Sequence, residues 1–293
     1  MEEIQGMILA QGQTTSHFRC RNIKYLHGPE RASVPDDKVS WNVEFIEYSP
    51  PNYTAPSVLE KPSWADANIE NDECEDMLQF NQIDEHASRV SHAGAYAVVD
   101  GLPLNVIGRT GLTGRGLLGK WGPNHAADPV VTRWKLDGDG KKIIHEVSGK
   151  PILQFVSIRR NDTCDWALPG GMVETGDTVG ETLKKEFGEE ALNTKQMGKV
   201  ELEEVKALVD ELFRNGSLIF QGYVDDPRNT DNAWMETVAK NYHDEKGEFK
   251  EFDLEAGDDS GKVQWKDVDS TLNLYASHYE YVKCTAENLG AHW

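Results

Sequence analysis

GMVETGDTVGETLKKEFGEEALN, residues Gly171–Asn193, is the stretch from which the rest of this 293-residue chain is read. Thr178 and Glu181 have the spacing of a T-x-x-E capping box and predict a helix over Thr178–Ala191. Val179, Leu183, Phe187 and Ala191 recur at helical spacing and form its apolar stripe. Glu186, Glu189 and Glu190 crowd one part of the same helix. On the helical wheel Glu190 falls on the stripe and Glu186 flanks it. A solvated acidic face is the ordinary explanation of such a run. Two difficulties stand against it. A carboxylate turned toward a core is costly unless it is paired or coordinates a metal, and three neighbouring like charges repel. Lys184 and Lys185 relieve this only in part. A divalent cation answers both difficulties, and oxygen-only donors point to Mg²⁺.

Outward from this helix the pattern is regular toward the C-terminus. PVVTRWKL (129–136) and Lys150–Arg160 read as strands around an Asp137-Gly138-Asp139-Gly140 turn. Trp166–Leu168 reads as a short strand ended by Pro169-Gly170-Gly171. Val200–Phe213 has the apolar face of a second helix in Leu202, Val205, Leu208, Val209 and Leu212. Strands over Leu218–Val224, Trp234–His243 and Val263–Val268 precede a last helix over Ser277–Leu289. Toward the N-terminus the chain is irregular. Ser40–Tyr48 is the one stretch there whose near alternation of Trp41, Val43 and Phe45 predicts a strand. Asn68–Glu85 is acidic and reads as a solvated loop or frayed helix. GRTGLTGRGLLGKWG (108–122) carries six glycines and reads as a linker or a closely approached loop. Layered α+β packing is the expectation, divided into residues 1–125 and 126–293.

Composition narrows the partners. Lys and Arg number 30 and Asp and Glu 50, a formal net charge of −20. So acidic a chain argues against nucleic acid and anionic membrane surfaces as partners. Any phosphate-bearing ligand would need a local source of positive charge, which a bound cation supplies. The four cysteines form no CxxC pair, so reduced thiols are expected. MEEIQGMILAQGQ lacks a basic signal-peptide start, and no apolar run is long enough to cross a bilayer. The expectation is a soluble intracellular chain. Gly114–Gly119 is a literal G-x-G-x-x-G, but no apolar strand precedes it and Gly122-Pro123 would break the helix that must follow. A dinucleotide site is therefore set aside. A phosphate contact from Arg115 is kept as an open alternative to a purely structural role.

Gly171, Glu186, Phe187, Glu189 and Glu190 match in register the box of the Nudix hydrolases, G-x5-E-x7-R-E-U-x-E-E-x-G-U, which the segment resembles. Asp177 stands for its first Glu, Lys185 for its Arg, and Leu192 and Asn193 for its last two residues. In the family the first Glu and the Arg brace the loop. Asp177 with Lys185 keeps the signs but loses the bidentate fork. Gly108–Trp134, Trp166–Met172, Gly222–Thr237 and LYASH (274–278) resemble ADP-ribose pyrophosphatases of mitochondrial type. They also resemble the C-terminal domain of ADP-ribose-gated melastatin-type TRP cation channels.

The resemblance implies a Nudix α/β/α sandwich with a mixed sheet, preceded by a smaller, irregular β-containing domain that helps form the ligand cleft. It implies that Glu186, Glu189 and Glu190 hold Mg²⁺ or Mn²⁺ and carry the catalysis. Asp226 and Arg228 would contact ligand, and Tyr275 and His278 would line the ribose end. Glu189, Asp225, Asp226 and Glu255 stay open as the general base. Two outputs follow. One is hydrolysis of ADP-ribose to AMP and ribose 5-phosphate, in mitochondria for a free enzyme. The other is ADP-ribose sensing on the cytoplasmic side of a tetrameric channel, if the parent chain is longer.

Overall fold

The computed structural model describes residues 17–69, 78–84, 87–161, 164–174, 176–194, 197–247, 254 and 260–293. Contacts divide the chain into two compact units. One comprises the described residues up to Phe80, with Ala95–Gly122 and Asp225–Trp234; the other comprises Asn81–Gly94, Pro123–Val224 and Met235–Trp293. A single cut after residue 125 does not describe this division, because residues 81–94 and 225–234 each pack away from their neighbours in sequence.

The first unit holds helices α1 (Phe18–Asn22) and α2 (Pro56–Leu59). Its strands are β1 (Asn52–Thr54), β2 (Val98–Val99), β3 (Leu102–Pro103) and β4 (Thr113–Gly116). β1 pairs with β4 in parallel, and β2 with β3 antiparallel across Asp100-Gly101, both at positive φ as a tight hairpin requires. The strand expected over Ser40–Tyr48 does not form, and turns take its place. Its aromatic residues serve a cation instead. Arg109 lies over the rings of Trp41, Phe45 and Tyr48 and donates to the carbonyls of Lys38, Ser40 and Val43. A chain curled around one guanidinium has no ladder to join.

Of the two readings of 108–122, linker or closely approached loop, the second holds: the segment is buried, and backbone crowds Gly108, Gly111 and Gly114. Gly116, at φ 57, leaves no room for a Cβ against the Tyr25 hydroxyl, which accepts from the Leu117 amide at 2.7 Å. Arg115 is fully buried, lies over Trp121 and donates through Nη1 to the carbonyls of Asp66 and Gly119. Its guanidinium is built into the fold. Arg115→Ala should therefore lower stability by about 2–4 kcal/mol through buried carbonyls losing a charged donor. Chemical denaturation checks it.

The second unit is three layers around one sheet. Its long strands are β5 (Gly122–Trp134), β6 (Leu153–Arg160), β9 (Ser217–Tyr223), β10 (Ala233–Asp244) and β11 (Ser260–Asp267), in the order β11-β6-β5-β10-β9. Two short strands, β7 (Trp166–Ala167) on β6 and β8 (Gly171–Met172) on β5, complete seven. The Asp137–Gly140 turn forms, and β5 pairs antiparallel with β6. Alternation along these strands feeds two cores. Val130 and Phe155 face the cluster that contains Tyr281, Val282 and Ala286 of α5 (His278–Asn288). Val131 and Val156 face Leu183, Phe187 and Ala191 of α3 (Val179–Leu192) with Val205 and Val209 of α4 (Lys199–Leu212). The sheet is thus covered on both faces, the α/β/α arrangement expected. Among the described residues Cys20, Cys164 and Cys284 are free thiols. No helix among them is long and apolar enough to cross a membrane.

Candidate functional site

The turn Pro169-Gly170-Gly171 is the point on which the functional side chains of the second unit converge. α3 brings the acids there. Both arms of its capping box form, the Thr178 side chain accepting from the Glu181 amide and Glu181 accepting from the Thr178 amide at 2.8 Å. The helix ends at Asn193, at φ 51, whose amide donates to the Gly188 carbonyl. Asn193 therefore supplies the left-handed exit that a glycine usually provides, one residue past the family's position.

With Leu183, Phe187 and Ala191 buried in the core, Glu186 and Glu190 emerge half-buried beside the turn. The Gly170 amide donates to Glu190 Oε2 at 2.8 Å. The Glu186 carboxylate lies so close to Gly171 that a Cβ there would overlap it. Glycine is needed at 171 for this approach and not for an unusual φ. Glu189 is half-buried on the same helix, and its charge helps raise the Lys185 pKa. The largest influence on that pKa is the hydrogen bond from Lys185 Nζ to Glu174, at 2.9 Å. Lys185 thus takes Glu174 as its partner where Asp177 was expected. Asp177 acts on it only as a weaker, longer-range charge.

On its other flank the turn is held by β5 and α5. The Leu168 amide donates to Nδ1 of His278 at 2.9 Å, which places the proton of a neutral imidazole on Nε2. Nε2 is 3.7 Å from Asp128 Oδ1. Asp128 itself is buried, accepts from Thr237 Oγ1 at 2.6 Å, and presses against Gly170 as Glu186 presses against Gly171. Tyr275 sits alongside; its amide donates to the Trp166 carbonyl, its ring carries the Arg160 guanidinium at 4.7 Å, and it meets His278 edge to face. Sequence reading missed Asp128. The available signal was one acid directly before PVVTRW, at the head of the segment read as a strand.

Asp226 and Arg228 lie in the first unit and are joined to each other. Asp226 is buried and accepts from Nε and Nη2 of Arg228, each at 2.8 Å, and from the Arg228 amide. This bidentate fork engages the guanidinium edge that the resemblance assigned to ligand. Asp225 is committed too, its carboxylate accepting from the amides of Arg19 and Cys20 at the start of α1. Glu255 lies outside the described residues.

Further along this segment Asp231 is fully buried, accepting from the Thr110 amide and hydroxyl and from Tyr48. Burial raises its carboxyl to about 6. A carboxylic acid whose pKa is raised by folding stabilises the native state at low pH, and that contribution is lost as pH rises through about 4 to 6. The stability of the wild type relative to Asp231→Asn should therefore fall by up to about 3 kcal/mol between pH 4 and pH 7. Urea titrations at the two pH values measure it; equal differences at both would refute the buried acid.

A cavity of about 500 Å³ opens elsewhere, lined by Thr178, Lys184, Arg214, Lys240 and Tyr242 and by none of the three glutamates. Lys184 is paired with Asp210 and Arg214 with Glu211, so the cavity lacks the net positive field a diphosphate would seek. The carboxylates at the turn are the better candidate.

Comparison with known proteins places the chain among relatives that cover most of its length. Residues 34–122 match the family described as NUDT9-like, N-terminal domain. Over 95% of its length the chain is 54% identical to the mitochondrial ADP-ribose pyrophosphatase of Rattus norvegicus, covering 80% of that protein. It is 46% identical to putative nudix hydrolase 6 of Caenorhabditis elegans, over 93% of this chain and 97% of that one. It is also 49% identical to the transient receptor potential cation channel subfamily M member-like 2 of Nematostella vectensis. That match covers 94% of this chain but 18% of the channel protein.

Proposed function

This chain belongs to the Nudix-family ADP-ribose pyrophosphatases, and on that premise we propose that it hydrolyses ADP-ribose to AMP and ribose 5-phosphate. Water adds to one phosphorus of the diphosphate and the bridging P–O bond breaks; AMP and ribose 5-phosphate depart, and the water's proton passes to a carboxylate and on to the medium. The observation that carries this reading is the convergence of Glu186 and Glu190 on the Gly170-Gly171 turn. Two half-buried carboxylates and Glu189 make an oxygen-only donor set, which fits Mg²⁺ or Mn²⁺. Such a cation, when bound, supplies charge neutralisation to the diphosphate and acidity to the attacking water.

The protein's own groups do the rest. The Gly170 amide fixes Glu190 in place before substrate arrives. His278 presents an N–H at Nε2, and Tyr275 a ring face, toward the ribose end. Asp225 and Asp226 already accept from amides and a guanidinium. Glu189 and Glu255 remain the candidates for the group that receives the water's proton. Asp226 and Arg228, as the family implies, would touch ligand through whatever their mutual fork leaves available. Incubating the purified chain with ADP-ribose and Mg²⁺ and following AMP by chromatography tests the proposal. Metal-dependent AMP release supports it, and intact ADP-ribose after a long incubation with either metal rejects it.

A second reading keeps the site and changes the output. The likeness to the anemone channel over nearly the whole chain supports an ADP-ribose-sensing domain, cytoplasmic and part of a tetramer, if the parent chain is longer. As a free enzyme the location is mitochondrial. Binding of ADP-ribose without AMP release would favour the sensor.

A further inference from the structure

His92, His125 and Glu236 meet in the second unit, each from a different part of the chain. His125 lies on β5 and Glu236 on β10, adjacent strands of the sheet, and His92 lies in the 87–94 segment. One ligand-capable atom from each falls within 4.8 Å of the others. Nε2 of His92 is buried and makes no hydrogen bond, and the ring nitrogens of His125, also buried, have the backbone of Ser88 and Val90 beside them outside ordinary hydrogen-bond geometry. The two rings stand 4.8 Å apart, and Glu236 is fully buried. Buried imidazole nitrogens are almost always well hydrogen-bonded, so His92 Nε2 beside a second loosely held imidazole calls for an explanation.

We propose that these three residues form a transition-metal site, with Zn²⁺ as the fitting ion, separate from the glutamates of α3. Two imidazoles and one carboxylate are a known zinc donor set with a fourth position left for water. Imidazole nitrogens favour such ions over Mg²⁺, which prefers oxygen. Tetrahedral ligands about 2 Å from zinc stand about 3.3 Å apart, so closing from the present separation needs only small rotamer shifts.

The surroundings have the character of an outer shell around a metal. Glu236 accepts from the Ser91 hydroxyl at 2.5 Å and the His92 amide at 2.6 Å, bonds that orient its carboxylate. Nδ1 of His92 is 2.9 Å from the side-chain amide of Gln221. The atom placed there is Gln221 Nε2; reversing the amide to present its oxygen would put the proton on His92 Nδ1 and turn the lone pair of His92 Nε2 inward. Burial pushes both imidazoles below the ordinary histidine pKa, which keeps them neutral and able to ligate. An ion there would tie the 87–94 segment to β5 and β10. The His125 carbonyl accepts from Val173, immediately after the Gly170-Gly171 turn, so the same pin would steady the strand on which that turn is hung.

Cobalt is the probe. The metal-stripped full chain is titrated with Co²⁺ in a large excess of Mg²⁺, following visible d–d absorption, and Zn²⁺ is then added as competitor. One equivalent of Co²⁺ should bind, be displaced by Zn²⁺, and persist in a Glu186→Gln/Glu190→Gln variant. His125→Gln and, separately, the less buried His92→Gln should weaken binding by about tenfold or more, with far-ultraviolet circular dichroism confirming that each is folded. Absence of the band in the wild type overturns the site. So does a band lost with the two glutamates, or one kept in both folded histidine variants. The readout does not involve turnover, so this site and the hydrolase reading can fail independently.

Discussion

Replacing Glu186 and Glu190 together by glutamine should lower kcat for ADP-ribose by at least about 10³-fold, some 4 kcal/mol of transition-state stabilisation. Glutamine keeps the length and one acceptor oxygen of each side chain, so the Gly170 amide can still donate at position 190. The loss should therefore appear in turnover and in the metal concentration needed for half activity. The melting transition should barely move, because both side chains are half exposed and the core positions Leu183, Phe187 and Ala191 are untouched. Steady-state rates across a Mg²⁺ series, beside a thermal melt, separate the two. Near-wild-type kcat in the doubly substituted protein would remove the carboxylates from the chemistry.

Gly171→Ala should lower kcat by about 10²-fold, the scale associated with displacing a reacting group by about 1 Å. The atoms nearest to the added methyl are those of the Glu186 carboxylate, the far end of a flexible side chain. The fold can therefore accommodate the methyl cheaply by swinging Glu186 away, and that motion is what harms the site. A variant with normal stability and crippled turnover is the expected signature. Equal losses of both would mean that Gly171 matters for the turn itself. Adding Glu186→Gln to Gly171→Ala should cost little more than either change alone, since both act through one carboxylate.

Much of the second unit could be read from the chain because its signals are local and periodic. The Thr178/Glu181 box, the stripe Val179–Ala191 and the alternation that sends Val130 and Val131 to opposite faces each lie within a few residues. The first unit could not be read this way. Its order comes from buried cations, Arg109 among aromatic rings and Arg115 over Trp121, and the same residues without the cation look like a strand and a linker or loop. Site residues divide along similar lines. Glu186 and Glu190 announce themselves by crowding one helix. Asp128 acquires meaning only beside His278, 150 positions later. The His92–His125–Glu236 group is likewise assembled by strand pairing across 144 positions, with no spacing motif to mark it. Arg228 is paired with the acid two positions before it, a partnership that its sequence neighbourhood does announce.

Residues 225–234 bear on how this protein can be divided. Thr230 and Asp231 receive donors from Asn105, Asp231 donates to Leu112, and Asn232 both accepts from Gly114 and donates to Pro103. An amino-terminal fragment stopping at Gly122 would thus lack ten of its own interior residues, encoded a hundred positions downstream. The halves of this molecule cannot be shuffled as independent cassettes. Wherever one has been transplanted into a larger architecture, the other must have travelled with it in a single continuous stretch of gene.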